Sequence, residues 1–268
     1  MDTAEWFFDL QDWKMLLRSI PAVVVALFVV CTVTMNLAAN KIVWSGLKIG
    51  DTYFISVTAG LFLSWAVFLI MDMVTKTFGG KAAIKLNFFG AVINAVAIIY
   101  LGIMASIPSE FPFPGASASF DIVFGFTGKG VQPWQILISS TTAYVISGVV
   151  NAIVNVLIGR RFVKNPDGKL AFITRSYIST MLGQFVDNFV FAALAFSFFA
   201  HYYGILTITG IASLGALVEL FFEVVFSPIA YHKCKKWQQE GVGRDYFEYC
   251  KKMELSDDLS RFEYRKES

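Results

Sequence analysis

The chain has 268 residues, 56% hydrophobic and only 16% charged, with 27 Phe, and its mean hydropathy is +0.60. That balance excludes an ordinary water-soluble domain and marks a membrane protein. The formal net charge of +2 gives no reason to invoke nucleic acid as a partner.

Within residues 1–19, Trp6, Leu10, Trp13 and Leu17 recur at helical spacing with Lys14 and acids between them, which predicts a short amphipathic helix in the membrane interface. Asp2, Glu5, Asp9 and Asp12 do not suit a cleavable signal peptide, so the first apolar run is expected to stay as a span. Six runs of sufficient length to cross a roughly 30 Å hydrocarbon layer as helix follow. They are 20–40, 53–71, 86–107, 133–159, 176–200 and 205–231. The expected fold is therefore all-α: an integral membrane bundle of six transmembrane helices over residues 20–231, with a polar tail at 232–268. The long connection before the fourth span mixes Pro and Gly with Phe120, Phe124 and other apolar residues. It reads equally as a lid over a site or as a loop resting on helix ends. In the tail, Tyr246, Phe247, Met253 and Leu255 suit a short helix on the membrane surface.

Lys and Arg gather on the cytoplasmic side of short loops. With the amino terminus inside, only Lys41, Lys48 and Lys129 of the 22 Lys and Arg residues fall on the outer side. Both termini are thus expected in the cytoplasm, with the protein multi-pass in the inner (plasma) membrane. Cys31, in the first span, and Cys234 and Cys250, in the tail, predict neither a disulfide nor a metal site. No Gly-x4-Gly-Lys loop is present, which argues against ATP hydrolysis by this chain.

The first four runs hold no Asp, Glu, Lys or Arg, whereas the fifth holds Asp187 and the sixth Glu219 and Glu223. An ionised side chain at the bilayer centre costs roughly 2.5 to 3.5 kcal/mol on insertion scales, so such acids face a partner, a bundle interior or a watery cavity. On helices, Gln184 is i, i+3 to Asp187 and i, i+4 to Asn188, and Glu219 is i, i+4 to Glu223. The two acidic faces are expected to meet, with a proton on at least one glutamate because no Lys or Arg is read at that depth. Asn94, Asn151 and Asn155 add amides, and Asn36 and Asn40 sit with Lys41 at the outer end of the first span. Helix–helix glue needs amides but not acids, so the pattern reads as a small-molecule site for a ligand rich in N–H groups. Trp65, Phe120, Phe124 and Phe185 could supply a stacking face.

Seven motifs in order carry a resemblance: NLAANKIV, DMVTKTFGGKAA, SFDIVFG, SSTTAY, TRSYIST, GQFVDNFVFAALAF and the stretch from Glu219 to SPIAY. They resemble the queuosine precursor transporter family, also called putative vitamin uptake transporters. The resemblance implies six helices and import of a 7-deazaguanine base: 7-cyano-7-deazaguanine, its aminomethyl analogue, or queuine. By position it implies Asp187 or Glu219 for the guanine-like edge and Gln184 and Asn188 for the remaining polar atoms. Phe120 or Phe124 would form the stacking lid, while Asp72 opens a motif of the family. Glu223, Asn36, Asn40 and Lys41 complete the candidate set. The chain departs from the family's pattern at Lys76, where Glu is frequent, and in the fourth span, which reads SGVVN through Gly148 and Asn151. The echo of GQFVDN there hints at a 3+3 repeat with the site at its interface.

The resemblance implies no enzyme activity and no cofactor. Three alternatives stay open: the same fold taking another vitamin or nucleobase, in one form as a substrate-binding subunit with an ATPase partner; an intramembrane hydrolase using Asp187 and Glu223; and an assembly or structural membrane protein, for which the interior acids would be unnecessary. His201 and His232 fall at span ends, which weakens the hydrolase. Whether the protein forms a homodimer also stays open.

Overall fold

The computed structural model describes residues 5–39, 41–49, 53–107, 124, 133–161, 169–199 and 204–252. The chain begins with α1 (Glu5–Phe8) and α2 (Leu10–Ser19), the latter capped by the Asp9 carboxylate, which accepts from the Gln11 amide at 2.9 Å. At Pro21 the path bends by 103° into α3 (Ala22–Ala38). An antiparallel hairpin, β1 (Ile42–Ile49) and β2 (Tyr53–Thr58), follows, with Ile42 paired to Thr58 and Ile49 to Tyr53 and an irregularity between Trp44 and Leu47.

The hairpin moves the second span. The run YFISVT at the start of 53–71 is β-branched and aromatic and pairs as a strand, so α4 runs over Leu61–Phe78 instead. Its end is set by Gly79, whose φ of 93° ends the helix and lets α5 (Gly80–Ala105) start at once in a new direction. Then come α6 (Pro133–Gly159), α7 (Lys169–Ala192) with a π-helical continuation over Ala193–Phe198, α8 (Ile205–Glu240) and α9 (Arg244–Lys252). Five of these helices are long and apolar enough to cross a membrane, and a sixth span results when bent α2 and α3 count as one. The all-α membrane bundle and its short N-terminal helix are as expected.

Pro228 lies inside α8, where it removes the N–H that would serve the Val224 carbonyl. The neighbouring Ser227 hydroxyl donates to that carbonyl at 3.3 Å, so the helix continues past residue 231 to Glu240. Val92, Val96, Ile99 and Ile103 of α5 and Leu217, Phe221 and Val225 of α8 are exposed, as residues facing lipid are. The interior packs Phe28, Val67, Met71, Val74, Leu86 and Tyr144.

The two ends of the described chain meet. Tyr246, Phe247 and Cys250 of α9 are buried in one cluster with Leu16 of α2 and Phe78 of α4. Tyr249 Oη also donates to Asp9 Oδ2 at 2.8 Å. Helix α9 thus forms, but its aromatic face covers protein rather than the membrane surface; Met253 and Leu255 lie outside the described residues. On α2 the buried face is Asp12 and Leu16, while Leu10 stays exposed. Asp12 pairs with Lys85 of α5, both buried, and the ammonium lies 5.5 Å from the Trp13 ring. Charges removed from water need such a partner, so this pair pins α2 to the bundle.

Candidate substrate site

Successive residues of a helix point about 100° apart, so Asp187 and Asn188 of α7 diverge although adjacent. Helix α7 packs between α6 and α8, and each side chain takes one neighbour. Asn188 Nδ2 donates to Glu219 Oε2 of α8 at 3.0 Å. Asp187 Oδ1 instead accepts from Ser147 Oγ of α6 at 2.7 Å. One turn before Asn188, the Gln184 amide nitrogen, oriented by this network, donates to both Glu219 oxygens at 2.9 and 2.7 Å. Ser64 of α4 donates to Glu219 Oε1 as well. Glu219 is therefore buried and served by donors from α4 and α7, whereas Asp187 is only partly buried and has Ser147 as its one donor among the described residues. Gly215, one turn from Glu219 on α8, makes room: a Cβ there would lie 2.6 Å from the Asn188 Cγ.

A second rung lies one turn along α8. Asp72 of α4 is buried, and its Oδ1 accepts from Asn151 Nδ2 at 3.0 Å, Asn155 Nδ2 at 2.9 Å and Ser179 Oγ at 3.2 Å. Its Oδ2 shares two hydroxyls with Glu223. Ser176 Oγ lies 2.5 Å from Asp72 Oδ2 and also reaches Glu223 Oε1, and Thr180 Oγ1 lies 3.3 Å from Asp72 Oδ2 and 3.1 Å from Glu223 Oε2. Arg175, also buried, donates through Nε and Nη2 to Asn155 Oδ1 at 3.1 and 3.0 Å. Lys76 is buried as well, 5.6 Å from the Tyr231 ring. The expectation that no cation lies near the acids is thus corrected: Arg175 reaches Asp72 through one amide, and Lys76 is interior to the bundle rather than a surface charge.

The remaining candidates are dispersed. Asn36 Nδ2 donates to the Thr32 carbonyl at 2.9 Å and its Oδ1 accepts from Ser140, apart from both rungs. Asn94 donates to Thr141 at 2.7 Å on the same outer seam. Lys41 is exposed at the foot of the hairpin, with its carbonyl accepting from the Ala59 amide at 2.7 Å. Phe124 is half-buried; Asn40 and Phe120 lie outside the described residues. Trp65 is stacked on Phe226 with centroids 4.2 Å apart, and Phe185 on Phe189 at 6.0 Å. The acids of the hydrolase alternative, Asp187 and Glu223, are held in different rungs by different hydroxyls.

Ser64, Ser147, Ser176, Ser179, Thr180 and Arg175 were not among the candidates. For Ser147, Ser176 and Thr180 the signal is rows at i+4 spacing: Ser176, Thr180, Gln184 and Asn188 on α7 and Ser147, Asn151 and Asn155 on α6, beside Glu219, Glu223 and Ser227 on α8; Ser64, Ser179 and Arg175 stand outside these rows.

A helical bundle with helices of membrane-spanning length and two interior rungs of carboxylates, amides and hydroxyls is a multi-pass membrane protein with polar groups buried within its spans. The chain belongs to the putative vitamin uptake transporter family, whose profile matches residues 58–232 and so takes in α4 to the middle of α8. No curated protein and no solved structure matches the chain.

Proposed function

We propose that this member of a vitamin uptake transporter family imports a 7-deazaguanine base, a queuosine precursor, and performs no covalent chemistry. One observation carries the reading: Asp187 is an interior carboxylate, partly exposed, whose one donor among the described residues is Ser147. A guanine-like edge presents N1–H and a 2-amino group side by side, two donors that a carboxylate accepts together. Asp187 suits that edge better than Glu219, whose oxygens already accept from Ser64, Gln184 and Asn188. Gln184 and Asn188 then position Glu219, and Ser147 fixes the Asp187 carboxylate.

The reading places the chain in the inner membrane with both termini cytoplasmic. It is supported by the distribution of Lys and Arg and by the docking of α9 on α2, which sets both ends on one side. Thermal-shift measurements on the purified protein with guanine, queuine, 7-cyano-7-deazaguanine and its aminomethyl analogue test the substrate. Stabilisation by the 7-deazaguanines is expected, and stabilisation by none of the four refutes the substrate. Uptake into liposomes by the purified chain alone separates a self-sufficient importer from a binding subunit of an ATP-driven complex.

A further inference from the structure

We propose that Asp72 and Glu223 form a proton-binding site distinct from the Asp187 rung, and that it takes up one proton for each base carried. Asp72 Oδ2, Glu223 Oε1 and Glu223 Oε2 all look to the same two hydroxyls, Ser176 and Thr180, and each hydroxyl has one hydrogen to give. Two hydrogens cannot serve three buried oxygens, and an unserved buried carboxylate oxygen is costly. One proton on Glu223 closes the count: its O–H donates into the Ser176–Asp72 side while Thr180 donates to its other oxygen. Glu219 lacks this deficit, because a serine and two amides already supply it.

The rung accepts a proton rather than a metal cation. Asp72 Oδ1 is faced by the N–H groups of Asn151 and Asn155 at 3.0 and 2.9 Å, and a cation placed on that oxygen would meet their hydrogens. A second observation points the same way. The buried amide oxygen of Asn151 meets no donor among the described residues, so a hydrogen-bearing group entering the rung gains a bond there. The charged and titratable groups around the pair are Lys76 on α4, Arg175 and Tyr177 on α7 and Cys234 on α8, while α6 contributes the amides Asn151 and Asn155. Asp72 accepts from Asn151, Asn155 and Ser179 at its Oδ1 and so is the better-served anion, which leaves Glu223 as the group that gains and loses the proton.

The coupling half of the inference rests on the transport reading above; the proton site does not, so the two are tested separately. Infrared spectra of ligand-free protein in membranes at neutral pH are expected to show the C=O stretch of a buried carboxylic acid. That band should vanish in Glu223→Gln and persist in Glu219→Gln, and a band unchanged in Glu223→Gln overturns the site. In liposomes, an inward pH gradient of one unit should drive about tenfold accumulation of 7-cyano-7-deazaguanine if one proton accompanies each base. Glu223→Gln, which mimics the protonated acid, should lose that accumulation and flatten the pH profile of labelled-base exchange. Accumulation driven by sodium, or unaffected by Glu223→Gln, overturns the coupling. If Glu223→Gln fails to fold, Asp72→Asn, which removes the anion, is expected to shift the band and abolish the accumulation. Absence of any base uptake by the parent protein fails the transport reading alone, and the infrared band still decides the proton site.

Discussion

Replacing Asp187 by Asn tests the substrate assignment with the smallest change of shape. The Asn side-chain oxygen can keep the bond from Ser147, now 2.7 Å long, which turns its NH2 toward the position of the second carboxylate oxygen. A guanine-like edge arriving there would bring donors against a donor. It would lose two hydrogen bonds to a charged group, each worth about 1.5 to 3 kcal/mol, so affinity should fall by roughly 3 to 6 kcal/mol, on the order of a hundredfold to ten-thousandfold. The assay is equilibrium binding of labelled 7-cyano-7-deazaguanine to purified parent and variant, with monodispersity and helical content showing that both are folded. Affinity in Asp187→Asn equal to the parent's would refute the reasoning, because no other described feature singles out that carboxylate.

Three further outcomes follow from the packing. Gly215→Ala should push Asn188 off Glu219 and destabilise the bundle by about 1 to 3 kcal/mol, read as a lowered melting temperature in detergent, and adding Asn188→Ala should recover most of the loss. Lys85→Met takes the ammonium partner from the buried Asp12 carboxylate, at a cost of about 3 to 5 kcal/mol, whereas Lys85→Met with Asp12→Leu should approach parental stability in the same melt. The third concerns pH. The Tyr249 hydroxyl holds Asp9 below the usual carboxylate range, so this bond supports α9 docking at neutral pH and loses that support as pH falls through the lowered Asp9 value. Distances between spin labels at Lys14 and Glu248 should lengthen in that acid window, and Tyr249→Phe should remove the change.

Much of the architecture was legible because lipid demands long uncharged helices, and such runs stand out without structure. The hairpin was not, since YFISVT is as apolar as a helix start and a short apolar run has no period that separates strand from helix. That one ambiguity displaced the second span and left Asp72 one residue past the end of the run at 53–71. With α4 beginning at Leu61, Asp72 falls inside the helix and becomes a carboxylate of the second rung. Asp187, Glu219 and Glu223 were legible as interior groups because burying acids is expensive; the structure brings Gln184, Asn188 and Glu219 together but turns the Asp187 carboxylate to Ser147 of α6 instead of into the same network. The hydroxyls were harder to read. Intrahelical Ser and Thr commonly bond their own backbone, as Thr75 does to Met71 and Ser139 to Gln135, so a hydroxyl carries little information alone. Only the i+4 row through Ser176, Thr180, Gln184 and Asn188, set against the row through Glu219 and Glu223, marks which hydroxyls serve the acids. Arg175 falls just before the uncharged run that starts at 176, yet the helix starts at Lys169 and carries it inward.

The account stands on Asp187 as the group that meets the substrate between α6 and α7. A structure of the protein with 7-cyano-7-deazaguanine bound tests it most directly. The base is expected with its N1–H and 2-amino edge on the Asp187 carboxylate and Ser147 still donating to the same group. A base lodged elsewhere, with Asp187 touching nothing but Ser147, would contradict it.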